Sequence, residues 1–343
     1  MARWSVSRNE LLGWAAAALL TAGLPLVLSL FQVVQLTVFM IYAILALSLD
    51  FLWGIAGILS FGQAALFGIG AYVYGIVGIN FGTTMLGLIA GMLGSALVAA
   101  VLGYVAFYGR VGSMYFAVVT LTVTLILFQV MGSTADPRYA IGAARLGGYN
   151  GMTNIPSISL SGSSSQPLGP VESFYLVASL LLLALLFCIW ISRAPYGRIL
   201  QGIRENEKRM ELLGYDVRWR KLLAFVISAA IAGLAGGLFA SWGNFINPEV
   251  FSLPQAAVVV IWVLVGGRGT LWGAILGTVV VQYLTSRLGQ AGSSYTPIVL
   301  GTILILIVLL FRRGLAPELA QSIANVVRIG PRKWRAANPN DND

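Results

Sequence analysis

Residues 51–109 contain no Asp, Glu, Lys or Arg. Wound as one helix at 1.5 Å per residue, that run would be about 90 Å long, roughly three times the thickness of a bilayer's hydrocarbon core. The run must therefore fold back on itself inside an apolar medium. The rest of the chain agrees. Of its 343 residues, 58% are hydrophobic and 10% charged, whereas soluble proteins carry about a quarter charged residues. Mean hydropathy is +0.86. These features predict an all-α, polytopic membrane helix bundle.

Windows of about 17–25 apolar residues give about ten transmembrane helices, at 11–31, 34–53, 58–79, 84–107, 113–132, 171–192, 221–242, 255–267, 270–287 and 296–311. The third and eighth have Gly-rich ends, GIAGILSFG at 54–62 and GGRGTLWG at 266–273. Such ends suit broken or re-entrant segments rather than clean crossings. The first apolar window is about 20 residues long and no small-x-small cleavage site follows it, so it reads as a retained span and not a signal peptide.

Basic residues set the orientation. Under ten crossings, Arg3, Arg8, Arg110, the cluster from Arg193 to Lys221, Arg268, Arg312 and Arg313 fall on one side, with Arg328, Arg332, Lys333 and Arg335. Arg138, Arg145 and Arg287 fall opposite. By the positive-inside rule both termini and the 193–220 loop are cytoplasmic, and the loop at 133–170 is periplasmic. The expected organisation is one transmembrane domain over 1–320 and a basic, then polar, cytoplasmic tail over 321–343. The 133–170 loop is rich in Gly, Ser and Pro and long for a plain connector, which favours a cap over a pathway. Small residues at four-residue spacing (Gly269, Gly273, Gly277; Gly87, Gly91; Ala229, Gly233, Gly237) predict closely packed helices.

Several chemistries are excluded. The chain has no histidine and one cysteine, Cys188, so an intramolecular disulfide and a His/Cys metal cluster are ruled out. No GxxxxGK[ST] pattern is present to cradle a nucleotide. The expectation is a non-catalytic chain with no metal site and no cofactor. An ion-coupled carrier usually titrates a group at membrane depth. The single carboxylate inside the apolar cores, Asp50, lies near the end of the second span and reads as a helix-end residue. Asn247-Pro248-Glu249 is only faintly similar to an aquaporin Asn-Pro-Ala box. Secondary transporter and channel are therefore the remote alternatives. The net charge of +9 sits beside the spans, which suits membrane retention and not nucleic acid.

Against that background, eleven of the 25 residues from 197 to 221 are charged. A helix over 198–213 would set Ile199, Ile203, Met210 and Leu213 along one side among the charges, with Gly214 as its C-terminal stop. A resting place on lipid headgroups is one reading. Glu205, Glu207 and Glu211 would repel anionic lipid, so docking into a protein groove suits the mixed-sign pattern better.

The stretch GRILQGIRENEKRMELLGYDVRWRKLLAFVISAAIAGLAGGLFA closely resembles the coupling segment and following helix of the LivM-type permeases, inner-membrane subunits of bacterial ABC importers for branched-chain amino acids. LSLDFLWGIAGILSFGQAALFGIGAY (47–72), GGYNGMTNIPSI (147–158), VIWVLVGGRGTLWGAILG (260–277) and LFRRGLAPEL (310–319) agree in kind and order. The resemblance implies a multi-pass protein of the bacterial inner membrane that forms half of a pathway for a small polar solute. Its implied partners are a LivH-like second permease, two ATPase subunits, a periplasmic substrate-binding protein and membrane lipid. It assigns Arg204, Glu205, Asn206, Glu207 and Gly214 to ATPase coupling. Family members commonly carry His where this chain has Gln63. VIWVLVGGRGTL resembles the urea-permease branch about as well, while GGYNGMTNIPSI resembles the amino-acid branch. Branched-chain or hydrophobic amino acids are the first expectation, and urea or short amides the alternative. A path lined by Ser60, Gln63, Asn150 and Thr153 would pass any of these.

Overall fold

The structure, a computed structural model, describes residues 23–25, 27–159, 167–290, 301–302, 314–316 and 318. The expected spans at 11–31 and 296–311 lie largely outside the described residues, and the tail at 321–343 wholly so.

Among the described residues, six helices are long and apolar enough to cross a membrane. They are α1 (Leu30–Leu49, continued by a π turn at Asp50–Ile55), α2 (Gln63–Phe81), α3 (Thr84–Tyr108), α4 (Ser113–Gly132), α5 (Pro170–Arg193) and α8 (Val217–Gly243). The short helices α6 (Pro195–Glu205) and α7 (Glu207–Leu212) lie between α5 and α8. A hairpin of α9 (Leu253–Gly266) and α10 (Trp272–Gln290) completes the described bundle. The 14 residues of α9 reach about 21 Å at 1.5 Å per residue, short of a hydrocarbon core of about 30 Å. The eighth expected span is thus no clean crossing.

The expected third span also needs correction. Its helix begins at Gln63, and residues 57–60 are irregular. Gly57, with φ of +76°, ends the π turn. The irregular backbone is satisfied locally, as apolar surroundings demand. Phe61 N donates to Thr120 Oγ1 of α4 at 3.2 Å, Thr124 Oγ1 donates to the Phe61 carbonyl at 3.4 Å, and Gly62 N donates to Ser60 Oγ at 3.1 Å.

The centre is the trio α2, α3 and α8, which meet through the small-residue stripes. A β-carbon on Gly70 would stand 2.3 Å from the Gly233 carbonyl oxygen, and one on Gly91 2.7 Å from that of Gly70. Only bare backbone fits there. Tyr42 of α1 packs on Trp262 of α9 with ring centroids 5.2 Å apart, and Phe67 of α2 on Phe239 of α8 at 5.4 Å. The Asn247-Pro248-Glu249 turn is a packing element: Phe251, at its end, stacks on Tyr72.

At one end of the bundle the 133–159 segment folds down as a lid. It holds a two-residue hairpin, β1 (Ala140–Ile141) against β2 (Ala144–Arg145), and a bridge from Met152 to Ile246. Asn80 closing α2 accepts from Ala143 N at 2.8 Å, Ser241 of α8 accepts from Ile158 N at 2.9 Å, and Asn244 donates to the Ile155 carbonyl at 2.8 Å. This lid is tied to the helix ends and is no loose connector.

Candidate functional site

The charged stretch forms the opposite end. Proline at the first position starts α6, whose Leu200 and Ile203 are buried. Asn206 then leaves helical geometry (φ −158°, ψ 100°), and its side chain caps α7 by accepting from Arg209 N at 3.0 Å. The single helix expected over 198–213 is therefore two helices hinged at Asn206, because an asparagine able to bond the backbone competes with helix continuation. Gly214 closes α7 as expected. With φ of +87° it donates to Glu211 O at 2.9 Å, while Tyr215 N donates to Met210 O at 3.2 Å, the pairing that ends helices on a left-handed glycine. Nothing stands near its absent β-carbon, so the glycine is there for its backbone. Asp216 then caps α8 by accepting from Trp219 N at 3.1 Å.

The break changes which apolar groups face outward. Ile203 is buried, Ile199 is half-buried, and Met210 lies against Gly202. Of the four expected apolar residues only Leu213 is presented, 64% exposed, beside Leu212 at 89%. Glu205, Asn206, Glu207, Lys208, Arg209 and Glu211 surround them, all exposed. One ion pair fixes α7 to α8: Lys221 Nζ donates to Glu207 Oε2 at 2.5 Å, with the lysine 7% exposed. Beside it a cleft of about 410 Å³ is lined by Arg110, Glu207, Lys208, Glu211, Arg218 and Lys221.

The inner side of α6 is fastened to the end of α1. The Arg204 guanidinium donates to the Gly54 carbonyl in the π turn. The neighbouring Asp50 is 0% exposed, and its carboxylate accepts from Gly269 N at 2.6 Å and Leu271 N at 2.8 Å, in the loop between α9 and α10. Arg268 of the same loop donates to the Trp53 carbonyl through Nη2 at 3.1 Å, and lies over the Trp53 ring at 4.7 Å. Partial desolvation and the Arg204 charge push the Arg268 guanidinium below its ordinary value, with Asp50 opposing. Asp50 is thus a helix-end residue as its position suggested, but its partners, 219 and 221 residues away in sequence, carried no local signal.

The four residues expected to line a pathway separate into two places. Ser60 and Gln63 are buried beside the helix break. Ser48 Oγ of α1 donates to Gln63 Oε1 at 3.1 Å, and Gln63 Nε2 donates to Ser228 Oγ of α8 at 3.0 Å. Within this chain Gln63 joins three helices, and at 1% exposed it faces no open path. Asn150 and Thr153 are exposed on the lid, at the other end of the bundle.

Residues 33–309 match the family model described as the permease component of branched-chain amino acid transport systems. The chain is 32% identical to the high-affinity branched-chain amino acid transport system permease protein LivM of Escherichia coli K12, over 88% of this chain and 74% of that one. It is 26% identical to the protein LivH of the same strain, named a permease of the same kind of system, over 80% of this chain and 90% of that one. It is also similar to the ribose import permease protein RbsC of Bacillus subtilis, 28% identical over 42% of this chain and 46% of that one. No solved structure matches the chain.

Proposed function

Because this chain belongs to the family of permease components of branched-chain amino acid transport systems, we propose that it forms half of an ATP-driven import pathway for branched-chain or other hydrophobic amino acids. It is a multi-pass helical membrane protein and a transport permease. The finer reading is a bacterial inner-membrane subunit of about ten spans with both termini cytoplasmic. A LivH-like permease completes its pathway, two ATPase subunits drive it, and a periplasmic binding protein supplies solute.

The observation that carries this reading is the α6–α7 unit. It is short, started by Pro195, capped at Asn206, Gly214 and Asp216, and anchored inward by Arg204 and Lys221. Outward it presents Leu212 and Leu213 in a ring of mixed charge. That surface suits a groove in an ATPase subunit, with Glu205, Asn206 and Glu207 at the contact and Gly214 holding the exit. Motion delivered there moves the attached helices as rigid bodies, and this chain performs no chemistry. The structure brings Arg110, Lys208, Arg218 and Lys221 to the same end, which supports a cytoplasmic side for it.

The lid at 133–159 would then receive solute on the far side, with Asn150 and Thr153 as first polar contacts. Gln63 and Ser60 serve the pathway by fixing the helix break. The experiment is reconstitution of the purified permease pair, ATPases and binding protein in proteoliposomes, with labelled leucine outside and ATP inside. The expected result is accumulation that requires both ATP and the binding protein. Uptake that follows an ion gradient without ATP would replace this reading by an ion-coupled carrier. ATP-dependent uptake of urea but not leucine would replace only the substrate.

A further inference from the structure

We propose that Asp50 is a positioning residue for transport: its carboxylate makes the α9–α10 hairpin follow the coupling helices. The proposal rests on reading α6–α7 as the coupling segment. Two ties converge on the last turns of α1. From α6, the Arg204 guanidinium holds the Gly54 carbonyl, and the arginine stem lies so close over Gly57 that a β-carbon there would meet Arg204 Cγ at 2.6 Å. From the hairpin, Gly269 N and Leu271 N both donate to Asp50. A push on α6 therefore reaches the π turn through Arg204, and the hairpin loop through Asp50.

The chemistry explains why a carboxylate does this task. The loop runs Gly266, Gly267, Arg268, Gly269 and offers backbone amides where other loops offer side chains. A charged acceptor bonds such amides about twice as strongly as a neutral one. Asp50 can take one with each oxygen. The fit leaves no slack: a β-carbon on Gly54 would stand 2.5 Å from Gly269 Cα. Close-packed elements of this kind transmit a displacement instead of absorbing it. The hairpin is tied to α1 again at its far end, where Gln35 Nε2 donates to Ser286 Oγ. In between, Trp262 packs on Tyr42. The hairpin and α1 therefore form one body fastened at both ends, and at the end that adjoins the coupling helices Arg268 holds the Trp53 carbonyl while Asp50 takes the two loop amides.

The test uses the complete transporter in proteoliposomes with an Asp50→Asn subunit. Asparagine keeps the size, but turns an NH2 group toward one of the two amides. Solute transported per ATP hydrolysed is measured, a ratio that lowered assembly alone does not change. A second readout is the distance between spin labels at Gln201→Cys on α6 and Tyr283→Cys on α10, in a Cys188→Ala background, with and without ATP. The expected result is a transport-to-ATP ratio lowered roughly tenfold and a label distance no longer narrow. An assembled Asp50→Asn complex with the wild-type ratio and distance would overturn the proposal. If that complex does not assemble, Arg204→Gln cuts the same connection from its exposed side. It should lower the ratio similarly, and a normal ratio would again overturn the proposal. A wild-type complex whose Gln201→Cys label ignores the ATPase would instead remove the coupling reading itself, and this proposal with it.

Discussion

Asp50 and Gln63 flank the same break between α1 and α2, both fully buried, yet they hold the bundle together by different chemistry. Asp50 is charged, lies beside the charged end of the bundle and binds only backbone amides of the α9–α10 loop. Gln63 is neutral and binds only hydroxyls, Ser48 and Ser228, the latter about 16 Å along α8 from Val217 at 1.5 Å per residue. A charge is tolerable near the end of a span, where guanidinium groups and water are close. Deeper in the bilayer it is expensive, and an amide spread over two hydroxyls is the cheaper fastening. The charged junction joins elements that move together under load; the neutral one packs helices that stay together.

That contrast can be broken first at Asp50. Asp50→Ala leaves Gly269 N and Leu271 N without an acceptor, and each stranded amide costs about 1–3 kcal/mol. The expected outcome is a large fall in complex yield and thermal stability, measured by size-exclusion chromatography of detergent-solubilised complex across a temperature series. A stable Asp50→Ala complex would show that the carboxylate is not a fastening at all.

Gln63→Leu should cost less. It removes two side-chain bonds, but the Ser48 hydroxyl can turn its proton to the Leu45 carbonyl, 2.6 Å away, and Ser228 keeps its bond to the Ser48 carbonyl. Hydrogen bonds between membrane helices are worth about 0.6 kcal/mol on average, so a loss near 1 kcal/mol is expected, with leucine uptake largely retained. Abolished uptake in a stably assembled Gln63→Leu complex would return this amide to the solute path.

The smallest effect is expected at the outer tie. Lys221→Met frees Glu207, which is half in water already, so global stability should move by less than about 1 kcal/mol. The change should appear locally, as faster amide hydrogen exchange over 207–212 alone. Unchanged exchange there would mean that the pair does not hold α7.

Much of this arrangement was legible in the sequence. The charge-free run fixed a membrane bundle, the four-residue stripes foretold close packing by α3 and α8, though not the Gly70 face of α2 that they meet, and Gly214 marked the end of α7. The Gly-rich stretch at 54–62 also suited a break near Gly57–Gly62, although hydropathy windows average over it, because Ile58, Leu59 and Phe61 are as apolar as a helix would be. Two features were not legible. The hinge at Asn206 depends on a single side chain bonding its own backbone, which helical periodicity does not register. The partners of Asp50 and Gln63 lie on distant elements, and only the fold brings them together. The LivM-type resemblance pointed to the 197–221 stretch but not to the groups that hold it to α1, which are set by Gly54 and Gly269 approaching without side chains.

The central claim is that the charge gathered between 197 and 221 serves a protein contact through which the bundle is driven. It is tested most directly by a photo-crosslinking probe on Leu212→Cys, in a Cys188→Ala background, within the assembled transporter in lipid. The account predicts an adduct to an ATPase subunit, shifting in yield with ATP. An adduct to lipid alone, at equal yield with and without ATP, would contradict it.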